Sequence, residues 1–289
     1  MFTFENRLAE RRSVPMLNRK VLSNLGIDLY GMATVAAGIM DLIWGGFDAA
    51  HQPIQAWGDN IPGYRVLAYI TAVWMIAGGA AILWRPSARA GAAALAVIYF
   101  IFAVFWLPRF YTAPHVLGFG IPVYIGVLVG VGSQLIAVAA GALVFAALTT
   151  NSSLLPRTIL AARWIFGLSS IDFGLGHLTA IKEDAVYVPH WMPLGAEFWT
   201  ILTGICFILA GLAILSGILD VLAARMLALM FLAFNLLALP PFVFAHPKAH
   251  AAWGGNAYNL AAVGAVWILA DSIASQHTDP DTTHLAVVS

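Results

Sequence analysis

Eight apolar stretches, each about as long as a bilayer is thick, divide this sequence. They run approximately over 28–47, 66–84, 89–107, 119–148, 158–179, 197–216, 222–244 and 257–276. A hydrocarbon core of about 30 Å needs roughly 20 apolar residues in a helix. Backbone groups in lipid must bond within their own segment, so each stretch reads as a transmembrane helix. Composition supports this: 61% of the chain is apolar and only 10% charged. A soluble domain carries roughly 25% charged residues, so the outer surface of this chain faces lipid. The expected fold class is all-α: a polytopic membrane protein of eight transmembrane helices, arranged as two parallel-repeat four-helix bundles. The fourth stretch is the longest and predicts a helix that tilts or extends past the membrane.

The division into two bundles comes from an internal repeat. Gly38 and Gly45 recur 129 positions later as Gly167 and Gly174. The turn at Ile61-Pro62 returns as Met192-Pro193, and Thr71 and Gly79 return as Thr203 and Gly211. Leu107-Pro108 matches Leu239-Pro240, and Tyr124 and Gly130 match Tyr258 and Gly264. The predicted organisation is an N-terminal segment over 1–26, one four-helix repeat over 27–150, a second over 157–276, and a tail over 277–289. Each repeat holds an even number of spans, so the copies share one orientation about an axis along the membrane normal. In this register Asp41 faces Ser170, Asp48 faces His177 and Asp59 faces His190.

Basic residues predict the orientation. With the N-terminus inside, the inner segments hold Arg7, Arg11, Arg12, Arg19, Lys20, Arg85, Arg89, Arg157, Arg163 and Arg225. The outer segments hold Arg65, Arg109, Lys182 and Lys248. This bias places both termini in the cytoplasm of a bacterial-type inner membrane. The first 26 residues are polar, and the apolar run that follows is too long for a signal-peptide core. Inner connections are short, and outer ones are long, at 48–65, 108–118, 180–196 and 245–256. Trp57, Tyr64, Tyr111, Tyr187, Trp191 and Trp253 in the outer loops read as interface anchors, or else as cavity walls.

Ionisable groups cluster on the outer side. Six histidines fall there: His51, His115, His177, His190, His246 and His250; His277 and His284 lie in the tail. His246 and His250 stand four apart with Pro247 between, which would put both rings on one helix face as a weak metal-binding pair. No His-Glu-x-x-His motif accompanies them, and the bland reading is a set of solvated loop histidines. The single Cys206 excludes an intrachain disulfide relay and cysteine-ligated clusters. Asp41 in the first span and Asp172 in the fifth are costly within a bilayer and are candidates for ligand binding or proton transfer. The competing reading is a protonated acid bonded to Ser169, Ser170 or Thr34. Asp48, His177 and His190 are further candidates near the outer mouth. Glu197 opens the sixth span, where its charge suits a helix N-terminus. Asn235, Asn256, Asn259 and Gln134 read as amides joining helices, and Glu197, Asn235 and Asn259 are also candidates for ligand binding or proton transfer. Zero net charge without a basic block argues against nucleic acid as a partner.

The second half resembles the DoxX/DoxD family of four-helix membrane proteins. The resemblance is carried by Phe173-Gly-Leu-Gly-His177, Pro189-His-Trp-Met-Pro193, the span from Thr203 to Leu215, Ala223-Ala-Arg225 and Asn256-Ala-Tyr-Asn-Leu260. The first half looks like a degenerate copy. This resemblance implies a component of quinone-linked redox or oxidative-stress complexes, with quinone as ligand and a redox protein as partner. Two other readings are open: a transporter or channel for a small molecule or ion, and a scaffold without catalysis.

Overall fold

The computed structural model of the protein describes residues 22–51, 62–151 and 153–278. Expectations that rest on Arg7, Arg11, Arg12, Arg19, Lys20, Trp57, Asp59, Ile61 and His284 lie outside the described residues. Eight helices among the described residues are long and apolar enough to cross a membrane. They are α1 (Asn24–Trp44), α2 (Tyr64–Leu83), α3 (Ala88–Trp106), α4 (Ile121–Ala147), α5 (Leu154–Thr179), α6 (Ala196–Ser216), α7 (Asp220–Ala245) and α8 (His250–Thr278). No strand occurs among the described residues. The chain is an all-α polytopic membrane protein, and Leu, Ile, Val and Phe side chains such as Ile43, Ile70, Phe100 and Leu209 are exposed around its flank.

Two connections differ from the loops expected. Arg109–Leu117 and Ile181–Ala185 are short helices. The last helix begins at His250 rather than 257, because the Gly- and Asn-containing start of α8 lacks an apolar pattern yet packs on α1. Within α7, residues Phe234–Ala238 form a π-helical turn just before Pro240-Pro241. Proline lacks an amide donor and crowds the preceding turn, and π turns often occur at functional sites.

Successive helices pack on one another through the whole chain, while the closing contacts cross between halves. α8 lies along α1, α4 lies along α5, and α4 touches α8. The two four-helix units are thus interlocked, each closed by the first helix of the other. This makes α4 and α8 the central helices, the two most buried of the eight. At 27 residues α4 is about 40 Å long, longer than the hydrocarbon core is thick, as a span that tilts or extends would be.

Glycine contacts correct the register between the halves. A Cβ on Gly79 would meet Gly31 O and Val35 N; one on Gly211 would meet Gly167 O and Ile171 N. Likewise Gly38 lies against Ala72 O and Ile76 N, and Gly174 against Gly204 O and Ile208 N. Gly31 therefore matches Gly167 and Gly38 matches Gly174, each 136 positions apart rather than 129. The error is seven residues, almost two helical turns, which leaves the glycine stripe on the same face. In the corrected register Asp41 corresponds to His177, Asp48 to Asp184 and His51 to Tyr187.

These close approaches give a direct test. Gly211→Ala would place a methyl 2.5 Å from Gly167 O, a backbone atom that cannot rotate away. The expected cost is about 1–3 kcal/mol, read as a lower midpoint in detergent unfolding.

Ion pairs hold the end of the bundle where the chain enters α1. Arg85 pairs with Asp28 at 3.1 Å, Arg163 with Asp220, and Arg225 with Asp271. Asp271 also accepts the Ser23 amide at 2.7 Å, tying α8 to the start of α1. Arginines that the sequence offers as orientation markers are therefore also structural here. The opposite end, where α1 finishes, carries the candidate site and is called the site end below.

Candidate functional site

Two groups of side chains occupy corresponding places at the site end. The first is built on the last turn of α1. Asp41 is 0% exposed. The helix ends at Gly45, whose left-handed conformation (φ +66°) turns the chain back over its own terminus. That turn delivers the Asp48 amide to Asp41 Oδ1 at 3.0 Å. Asp48 then accepts the Ala50 amide at 2.9 Å, an Asx turn that points His51 inward.

Two histidines flank the Asp41 carboxylate. His250 Nε2, from the start of α8, is 3.1 Å from Oδ1, and His51 Nδ1 is 3.7 Å from Oδ2. Each ring is fixed by an aromatic plane: His250 lies on Trp44 with centroids 5.0 Å apart, and His51 on Phe102 at 4.3 Å. Gly254 of α8 faces the Asp48 carboxylate so closely that a side chain there would collide with it. Beside this group Arg109 is fully buried, its guanidinium 3.5 Å from the Trp106 ring centre. Burial pushes Arg109 down to about 10, so it stays cationic at neutral pH. Trp106 and Gln134 both donate to Ala50 O, which anchors the same turn. A buried carboxylate needs partners such as His250, His51 and the Asp48 amide, because an unpaired one is severely penalised.

The second group is the corresponding part of the other half, and it is open. A cavity of about 450 Å3 lies between α5, α6 and α7. Its walls are mainly apolar, including Val188, Met192, Trp199, Met230, Phe234 and Leu237. The polar groups at its wall are His177, Asp184, Thr200, Thr203 and Asn259. A second compartment of about 320 Å3 adjoins it and shares His177, Asp184, Phe234 and Asn259. The π turn of α7 supplies Phe234, which stacks on His177 at 6.0 Å.

Hydrogen bonding at Thr203 favours one tautomer of His177. Thr203 Oγ1 donates its one proton to the Trp199 carbonyl at 2.8 Å. It therefore accepts from His177 Nδ1, 3.1 Å away. The neutral ring then carries its proton on Nδ1 and leaves a lone pair on Nε2.

Asp184 lies beyond the end of α5, in the short helix Ile181–Ala185. Burial raises its pKa above the ordinary value, the His177 charge opposes this, and Glu183 adds to the rise. An acid raised in the folded state contributes stability that is full below its unfolded value, about 4. That stability is lost as pH climbs through the raised folded value. Asp184→Asn is expected to remove this loss, so the variant gains thermal midpoint relative to the parent as pH rises from about 4. Paired melting curves across that range check it; parallel pH profiles would contradict it.

The other candidates fall into place separately. Asp172 lies mid-span in α5, outside both groups, with its Oδ2 buried and without a hydrogen-bond partner. Neither acid bonds to the hydroxyls expected: Thr34 donates to Tyr30 O, and Ser169 to Gly132 O. His190 and Glu197 are exposed, the latter in the first turn of α6. Asn235 sits in the π turn but not on the cavity wall. Asn256 and Asn259 donate to carbonyls of their own helix, at 3.4 and 3.0 Å, instead of joining helices. Gln134 joins α4 to the turn after α1.

His246 and His250 do not share a helix face. His246 caps the end of α7 and His250 opens α8, with a turn between them. Among the described residues, no three His, Cys, Asp or Glu side chains group as a metal site requires. Of the loop aromatics, Tyr187 lines the cavity, while Tyr111, Trp191 and Trp253 are exposed as interface anchors are.

His51, Asp184, Thr203 and Tyr258 were not singled out as site residues by the sequence. The signal for Asp184 was present, since it corresponds to Asp48 once the register is corrected. Compared with protein-family models, curated proteins and solved structures, the chain gives no match.

Proposed function

We propose that this protein binds a small, largely apolar molecule bearing a hydroxyl group, in the cavity at His177 and Asp184, with a quinol as the leading candidate. One observation carries the reading: a cavity of about 450 Å3, mostly apolar, with a histidine and an acid together on its wall. That size falls in the range of roughly 300–1,000 Å3 common for small-ligand sites. Nε2 of neutral His177 is an acceptor in that tautomer. It calls for a donor on the ligand, which a quinol has and an oxidised quinone lacks. The resemblance to DoxX/DoxD proteins points to the same ligand class and to a redox partner that would handle electrons. This chain's own residues hold the ligand and accept protons. In this reading α1–α4 and α5–α8 are two copies of one unit, and only the second copy keeps an open cavity. The bias of lysine and arginine puts the site end outside the cytoplasm.

The π turn beside the cavity favours a second reading, a transporter in which α7 moves. Titration of the purified protein with a short-chain ubiquinol and its oxidised quinone separates the possibilities. Saturable binding that prefers the quinol, weakened about tenfold in His177→Ala, supports the proposal. Equal binding by the parent and His177→Ala, or flux of the ligand across liposomes holding this chain alone, would count against it.

A further inference from the structure

We propose that Tyr258 and a water bound behind it carry protons between the cavity and a buried proton-holding site formed by Asp41, His51 and His250. The observations are independent of what fills the cavity. A small internal cavity of about 10 Å3 is bounded by Asp41, Asp48, His51, Tyr99 and Tyr258. That is about the size of one water. The Asp41 Oδ2 and both His51 ring nitrogens are buried and have no partner within hydrogen-bonding distance in the protein, and the Tyr258 hydroxyl is buried beside Ser133. Buried polar atoms left so cost about 1–3 kcal/mol each. One water offers two donors and two acceptors, which meets several of them together.

Tyr258 also faces the other way. It lines the compartment of about 320 Å3 that holds His177, Asp184 and Asn259. Its phenol therefore stands between the two groups described above, as the one side chain shared by the walls of both spaces. A hydroxyl both accepts and donates, so a proton arriving from the cavity side is matched by one passed to the water. The water does the same toward Asp41 or His51. The net change is one proton lost by the cavity ligand and one gained by the buried site, and no electron moves.

The charges around Asp41 suit this role. Asp48 and His51 approach from the turn after α1, Tyr99 from α3, and His250 and Tyr258 from α8. Two carboxylates thus face two histidines that can each take a proton. His250 is 15% exposed and Asp41 fully buried, so His250 gives the site a second route to solvent. The proposal rests on the cavity reading only for the identity of the proton donor.

Infrared spectroscopy after a pH jump tests the path in the full-length protein without any ligand. The Asp41 carboxyl band is the one lost in Asp41→Asn. In a His250→Phe background, which closes the direct route, Tyr258→Phe is expected to slow protonation of that band at least tenfold. Equal rates with and without the Tyr258 hydroxyl would overturn the proposal. A high-resolution map gives a second reading that needs no variant. A water within hydrogen-bonding distance of Asp41, His51 and Tyr258 supports the path; a dry cavity or a sodium ion there would contradict it. Neither readout involves quinol, so either can fail while the quinol reading stands, and the reverse.

Discussion

Replacing Asp41 with alanine is expected to cost about 3–5 kcal/mol of stability. The carboxylate is fully buried and is approached by His250, His51 and the Asp48 amide at once. Its removal strands a buried amide donor and leaves two imidazoles without their carboxylate neighbour. It also unties the contact of α8 with the end of α1, one of the two closures that interlock the halves. Asp41→Asn keeps an acceptor for the Asp48 amide, so it should cost less than the alanine change, by about 1–2 kcal/mol. Unfolding by sodium dodecyl sulfate in mixed micelles measures both. A loss below about 1 kcal/mol in Asp41→Ala, within the range of an exposed ion pair, would mean that the group is solvated and contributes little.

Ala233→Trp is expected to abolish ligand binding while leaving the bundle folded. Ala233 is on the cavity wall in the last turn before the π segment. An indole built there projects into open space and displaces any occupant. Losing one hydrogen bond at His177 costs about 0.5–1.5 kcal/mol, at most roughly tenfold in affinity. A steric block removes the whole apolar contact and should exceed a hundredfold. The thermal midpoint should stay near that of the parent, because the cavity is already formed. Full binding by Ala233→Trp would mean that the ligand sits elsewhere.

The fold was largely legible in the sequence because lipid imposes a simple rule. Each helix must be apolar for about 20 residues, and such runs stand out. The eighth helix was misplaced at its start for the same reason: His250 to Asn256 are held by contacts with α1, not by an apolar pattern. The site was legible in its parts but not in its grouping. Asp41 and His177 were recognisable as ionisable residues in apolar surroundings. That they occupy corresponding places was hidden by the heptad spacing of the glycines, which allows a seven-residue slip at no cost in pattern. Packing between α1 and α2 and between α5 and α6 removes the ambiguity. The π turn was illegible, since Phe234–Ala238 reads as ordinary helix and only Pro240-Pro241 hints at a break.

The corrected register changes how the two halves compare. One half holds Asp41, His51 and His250 together at its mouth, while the other has a cavity beside His177 and Asp184. A ligand is therefore expected in one half alone. The most direct measurement is organic extraction of the purified protein followed by mass spectrometry, with Ala233→Trp prepared in parallel. The account predicts about one quinol or quinone per chain in the parent and none in the variant. Equal amounts of that molecule in both, or none in either, would contradict it.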